Sequence, residues 1–167
     1  LIDHTPNLNF SGGSSRPRFL QIRGIGELEQ YEGAPNPSVG VIVDDLDLSG
    51  LGAIGSLFDI DQVEVLRGPQ SIRYGANALA GIVSLRSKAP SEKSTGQMEL
   101  GAGSDEYRLG GVALSGPFRE ESKELLFRLS AANLRSDGFR RNVLLDRDDT
   151  NARDETTIRS HIRSTPN

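Results

Sequence analysis

The residue types that could do chemistry are few here. Cysteine is absent, and histidine occurs twice, at His4 and His161. Without thiols there is no disulfide framework, zinc ribbon, iron–sulfur ligand set or nucleophilic cysteine. Neither histidine has a second one within metal-ligand spacing, so both read as ordinary exposed residues. Asp44, Asp45 and Asp47 form a dense acidic cluster. Adjacent strand positions point to opposite faces, so only Asp45 and Asp47 could converge, and no partner base or metal set supports them. Asp45-Leu46-Asp47-Leu48-Ser49-Gly50 matches the first half of a calcium loop, but Ser56 stands where the bidentate acid is required. A turn rich in Asp and Gly is the simpler reading. Gly24-Ile25-Gly26 lacks the third glycine of a dinucleotide fingerprint, and no phosphate loop is present. No nucleophile, base and metal converge, so the sequence predicts no enzyme and no cofactor.

Composition narrows the classes further. With 19 Lys plus Arg against 23 Asp plus Glu in 167 residues, the net charge of −4 argues against a nucleic-acid partner. Counting Gly and leaving out Tyr, the apolar fraction is roughly 44%, slightly below the globular norm of about 45–50%. No apolar run approaches the roughly 20 residues of a membrane helix. The chain starts at Leu1 without a basic stretch leading into an apolar one, so no signal peptide is read there.

The elements that would position these residues fall into two grammars. Up to about Pro90, short apolar strands alternate with glycine turns: Phe19–Arg23, Val39–Val43, Val63–Leu66 and Ile82–Arg86. Val39–Val43 is apolar on both parities, which places it inside a sheet covered on both faces. Leu57, Phe58 and Ile60 lie at near-helical spacing within Leu51–Gln62. Pro69 followed by Gln70–Tyr74 suits one helical turn, stopped by Gly75. The expectation is an α+β module, a small mixed sheet with short helices, in which Asp59, Asp61 and Glu64 are structural acids at the ends of a helical turn. Ser87–Gly96 reads as a linker. Beyond it the pattern is antiparallel β, with Gly103-Ser104-Asp105 turning a hairpin. Leu125, Phe127, Leu129 and Ala131 alternate with Leu126, Arg128, Ser130 and Ala132. Ile158 and Ile162 alternate with Arg159, His161 and Arg163. Periodicity alone fits equally a transmembrane barrel and a one-sided soluble sandwich.

The glycine corners carry a sharper signal. Ile22-Arg23-Gly24, Val41-Ile42-Val43-Asp44-Asp45, Val63-Glu64-Val65-Leu66-Arg67-Gly68-Pro69-Gln70 and Tyr74-Gly75-Ala76-Asn77-Ala78-Leu79-Ala80-Gly81-Ile82-Val83 follow in this order and spacing. Together they closely resemble the plug domain of TonB-dependent outer-membrane receptors. The resemblance covers Pro6 to Pro90 motif by motif and extends more loosely over the hairpins to Asn167. It implies a plug over residues 1–90 and the start of a transmembrane antiparallel β-barrel over residues 91–167, in the outer membrane of a Gram-negative bacterium. Family members import ferric siderophores, cobalamin, oligosaccharides or other scarce solutes through a 22-stranded barrel filled by the plug. TonB supplies the energy by pulling on a short box at the plug's N-terminus. That box, the first plug segment and most of the barrel are not in this sequence. Glu99 to Asn167 suffices for about four strands at roughly 10 residues each, so the chain resembles an internal fragment.

Within that resemblance, Arg23 and Arg67 match the plug arginines that pair with acids on the barrel wall. A charge partly shielded in a plugged lumen should be paired. The loops Glu27–Asn36 and Leu46–Gly52 are expected to face the substrate. Glu27, Glu29, Tyr31, Glu32, Asn36, Asp47 and Leu48 are their candidate contacts, and the acids among them disfavour a strongly anionic ligand. The expected partners are a small-molecule ligand, TonB and outer-membrane lipid. Two alternatives keep part of this picture: a signal transducer of the same fold, and a soluble β-rich binding domain.

Overall fold

A strand of Val39-Gly40-Val41-Ile42-Val43 has no polar parity to offer water, so both of its faces need cover. The computed structural model describes residues 5–11, 19–28, 37–49, 56–70, 78–119, 122–138 and 140–165. It divides into two units: one of residues up to Ile54 with Ile60–Ser87, the other of Gly55–Asp59 with Lys88–Asn167.

In the first unit, β1 (Leu8–Ser11) pairs antiparallel with β2 (Phe19–Ile22) as a two-stranded sheet. The next strands are β3 (Val39–Val43), β4 (Leu46–Asp47), β5 (Ile60–Arg67) and β6 (Gly81–Ser87), and they form a four-stranded sheet ordered β4–β3–β6–β5. β3 and β6 run parallel and occupy the two interior positions. One face of this sheet packs Val39, Val41, Val83 and Leu85 against Leu8, Leu20 and Ile22. The other buries Ile42 and Ile82 with Ala78 and Leu66. The two-sided cover expected for Val39–Val43 is therefore present. β3 turns into β4 through Asp44 and Asp45, at φ 48° and 67°. Two successive residues at positive φ make the turn whose twist matches that of its strands, and Asp tolerates that region better than most residues.

Two expectations fail over residues 46–77. The described residues contain no helix. Residues 51–55 and 71–77 of the expected helical stretches lie outside the described residues. In the remainder, Asp59 at φ 65° cannot continue a right-handed helix, and Ile60 already opens β5. The spacing of Leu57, Phe58 and Ile60 comes from a turn that feeds a strand. The stretch from Leu46, expected as loop, starts instead with the two residues of β4 on the edge of the sheet.

The second unit is built on alternation. It contains β7 (Thr95–Ala102), β8 (Arg108–Arg119), β9 (Ser122–Ser136), a small hairpin of β10 (Arg140–Asn142) and β11 (Arg147–Thr150), and β12 (Arg153–Ser164). The main sheet is antiparallel throughout, in the order β12–β9–β8–β7. β8 and β12 have 12 residues each and β9 has 15. A tilted strand crosses a bilayer in about 9–11 residues, so all three are long enough to do so.

Candidate functional site

In the first unit, Arg23 and Arg67 occupy strand ends fixed by local geometry. Arg23-Gly24 is a two-residue turn, both at positive φ (55° and 80°), closed by reciprocal bonds between Ile22 and Ile25 of 2.9 and 3.0 Å. Arg67 ends β5 opposite Gly81. Gly81 has φ +150°, and a Cβ there would stand 2.4 Å from the Leu66 carbonyl oxygen, so no other residue fits. Both arginines are exposed and converge on one turn: the Arg23 amide donates to the Asn7 carbonyl at 2.9 Å, and Arg67 Nη2 donates to the Pro6 carbonyl at 3.2 Å. Among the described residues neither meets a carboxylate.

Of the candidate substrate contacts, Glu29, Tyr31, Glu32 and Asn36 lie outside the described residues. Glu27 is engaged internally. Its Oε1 accepts from the Ser38 amide at 2.8 Å and from Ser38 Oγ at 2.6 Å, just before β3. Asp47 is exposed on β4, and its carboxylate accepts the Ser49 amide at 2.9 Å. The half-buried Leu48 donates its amide to the Val41 carbonyl at 2.8 Å. Because β4 runs back along β3, the chain leaves it toward the end of the sheet where Glu27 holds Ser38. The two stretches singled out as substrate loops are thus flanked at the same end of one sheet. No group of three or more His, Asp or Glu residues suited to a metal occurs among the described residues.

The second unit has two unlike faces. Register pairs Met98 with Val112, Leu114 with Leu129 and Ile162 with Phe127. Met98, Leu100, Val112, Leu114, Leu129, Ile158 and Ile162 are all large, apolar and open on this side, with exposures from 49% to 73%. A contiguous apolar surface of this extent on one sheet marks a face built for an apolar environment. The opposite face carries Gly111, Ala113, Ser115, Arg128, Ser130, Ala132 and Arg159. The alternation read along β9 and β12 is therefore present, oily on one side and mostly small or polar on the other, where Leu126 is the buried exception.

One buried acid against this second face has no signature of its own in the sequence pattern. Asp59, expected to be a helix-end acid, has a side chain 2% exposed and receives both Arg128 Nε, at 2.8 Å, and Arg128 Nη2. Arg159 donates to the carbonyls of Phe58 and Ser56, each at 2.7 Å. Phe58, 5% exposed, packs with Ala113 and Ala132. One signal was available: two arginines on the small-residue parity of β9 and β12 leave room for an incoming acid.

Comparison with known proteins agrees with this architecture. The family model of the TonB-dependent receptor plug domain matches residues 1–82. The pesticin receptor of Yersinia pestis is 32% identical over 117 residues, covering 69% of this chain and 17% of that protein. The ferripyoverdine receptor of Pseudomonas aeruginosa is 34% identical over 125 residues, covering 72% of this chain and 14% of that protein. The crystal structure of the ferric yersiniabactin uptake receptor from Yersinia pestis superimposes with a TM-score of 0.78 at 28% identity, over 98% of this chain and 25% of that one. The chain thus spans between a seventh and a quarter of these relatives' lengths. With the plug motifs, the mixed plug sheet and the one-sided antiparallel strands all in the same order, the chain belongs to the TonB-dependent outer-membrane receptors.

Proposed function

We propose that the intact protein takes up a ferric siderophore across the outer membrane, with residues 1–90 in its plug and 91–167 forming the first strands of its barrel. The observation that carries this reading is the likeness to the ferric yersiniabactin uptake receptor, which runs through both the plug sheet and the long strands. Relatives in this family are named as receptors and transporters, not as enzymes. Their ligands include ferripyoverdine and vitamin B12. The siderophore class is favoured over cobalamin because the ferripyoverdine receptor is 34% identical and the vitamin B12 transporter of Vibrio vulnificus 26%. In this reading the energy comes from TonB and the proton gradient.

The ligand meets the plug at the end of the sheet flanked by Glu27, Ser38 and Ser49, through Glu29, Tyr31, Glu32, Asn36, Asp47 and Leu48, while Glu27, expected as a contact, has its carboxylate turned inward onto Ser38 and shapes that end of the sheet instead. Substituting Tyr31 by Ala lowers ligand affinity in the intact receptor; unchanged affinity removes that loop from the site. Arg23 and Arg67, exposed at the rim, pair with acids of later barrel strands. Arg67→Glu therefore speeds amide exchange across β5 and β6, and unaltered exchange rejects the pairing. Growth under iron limitation tests the class. Cells dependent on this receptor should grow when supplied with one ferric siderophore of a panel. Growth rescue confined to cobalamin or oligosaccharide limitation would replace the siderophore by that ligand.

A further inference from the structure

The oily face of the second unit ends in charge at one margin. On the parity of Val112 and Leu114, β8 begins with Arg108 and Gly110; on that of Leu129 and Ala131, β9 closes with Asn133 and Arg135. Register sets Arg108 directly opposite Arg135, with Asp154 of β12 on the other side of Arg135. All three are exposed. Like charges directly opposite across a ladder repel, with Cβ atoms about 5 Å apart. The nearby carboxylates leave this pair unresolved. Glu106 reaches only Nη2 of Arg108, and the two side chains are 63% and 74% exposed. Asp154 Oδ1 accepts from Asn133 Nδ2 at 3.1 Å, one row nearer the apolar residues. Among the described residues the Arg135 guanidinium meets no acceptor.

The arginines stand at head-group height. On β7 the last large apolar residue of this face is Leu100, which pairs with Gly110, two residues from Arg108. At about 3.4 Å per residue and a tilt of about 40°, the arginines lie on the order of 5 Å beyond Leu100 along the membrane normal. The polar layer on each side of the hydrocarbon core is about 5–7 Å deep. This margin also carries the longer connections. Residues 103–107 join β7 to β8 and residues 137–152 join β9 to β12, with the Asp137 amide on the Asp105 carbonyl at 2.9 Å. Only residues 120 and 121 join β8 to β9 at the other margin. Outer-membrane barrels keep their short turns on the periplasmic side and their longer loops outside.

We propose that Arg108 and Arg135 form a seat for the phosphate monoester of an outer-leaflet lipid head group, whose acyl chains lie along Leu100, Val112 and Leu114. The proposal rests on the plug-and-barrel reading above and adds a lipid of fixed position to it. A phosphate monoester brings nearly two negative charges and three acceptor oxygens. That suits two adjacent guanidinium forks, which engage phosphate through paired donors where lysine offers a point charge. The apolar residues beside the seat favour a lipid over free phosphate, because acyl chains bury surface against them.

The test loads the intact receptor in detergent with lipid A, a phosphorylated glycolipid, and counts retained lipid by native mass spectrometry. The paired variant Arg108→Gln with Arg135→Gln should retain at least about tenfold less lipid A, as expected for loss of charge-assisted bonds. Arg135→Lys should fall between the two. Glu106→Gln, which removes a competing carboxylate, should retain more. Arg163→Gln removes the same charge from the opposite face, opposite Leu126, and should leave retention unchanged. Equal retention by the paired variant, or an equal loss in Arg163→Gln, overturns the seat. Undiminished retention of dephosphorylated lipid A by the unmodified receptor overturns the phosphate as its occupant. Displacement of lipid A by an equal concentration of inorganic phosphate overturns the lipid. Both arginines are exposed, so every variant should insert into vesicles, as read from protease protection. An unmodified protein that fails to insert would count against the barrel reading; one that inserts and binds lipid A regardless of its arginines counts against the seat alone.

Discussion

Leu114 and Leu129 face each other across β8 and β9 on the oily side of the sheet, and each is about half exposed, at 55% and 49%. Ala113 and Ser130 are the next pair along, on the opposite face, and both are buried. Replacing Leu129 by Arg puts a guanidinium where the proposed barrel meets lipid. Near the bilayer midplane such a charge costs about 2–4 kcal/mol, falling to about 0–1 near the interfaces. In a soluble sandwich the same substitution at a half-exposed site stays within about 0.5 kcal/mol. For a site near the midplane the two readings therefore differ by about 1.5–3.5 kcal/mol at one residue. Leu114→Arg alone should cost a comparable amount. The double variant should cost less than the sum, because register neighbours can share one membrane defect and contacting residues couple. The assay is reversible folding of the intact protein into lipid vesicles, followed by denaturant titration. Leu129→Arg with undiminished folding in vesicles would refute the assignment of this face to lipid.

Three smaller predictions follow from local geometry. Gly81→Ala forces a Cβ against the Leu66 carbonyl at a φ that L residues rarely adopt, and should destabilise the plug sheet by about 2 kcal/mol or more; exchange rates of β5 and β6 amides read the effect. Asp44 accepts from the Ser87 amide at 2.7 Å and from Ser87 Oγ at 2.6 Å while holding φ 48°. Asp44→Ala should thus cost about 1–3 kcal/mol and Asp44→Asn less, as seen in protection of the Ser87 amide. Ile42→Ala removes a buried side chain (6% exposed) from the smaller apolar cluster. It should cost about 2–5 kcal/mol, measured as a lowered denaturation midpoint of the plug.

The parts of the fold that could be read from sequence are those whose signal is local. Val39–Val43 announced a two-sided strand because no residue in it could face water. The parity of β9 was legible because Leu125, Phe127, Leu129 and Ala131 keep one side apolar, and that of β12 through Ile158 and Ile162 set against Arg159, His161 and Arg163. β1 was missed: Asn9 and Ser11 dilute its single buried residue, Leu8, and a strand of four residues has little room for a pattern. The helical reading around Leu57 failed because spacing alone cannot distinguish a helix from a turn that leads into a strand. Asp59 looked like a helix-end acid for the same reason. Its partner Arg128 lies 69 residues away, and no periodicity connects the two. Arg23 and Arg67 were legible through the glycines beside them, and their shared turn at Pro6–Asn7 was not, since it is made by main-chain carbonyls that any residue provides.

Energised import of a ferric siderophore is the activity proposed for the intact protein. Uptake of iron-labelled siderophore should be measured in cells whose sole route for it is the intact receptor, before and after the proton gradient is collapsed, and in cells lacking TonB. Accumulation that stops on collapse and is absent without TonB, while surface binding persists, is the predicted result. Accumulation that continues in either case would contradict the account.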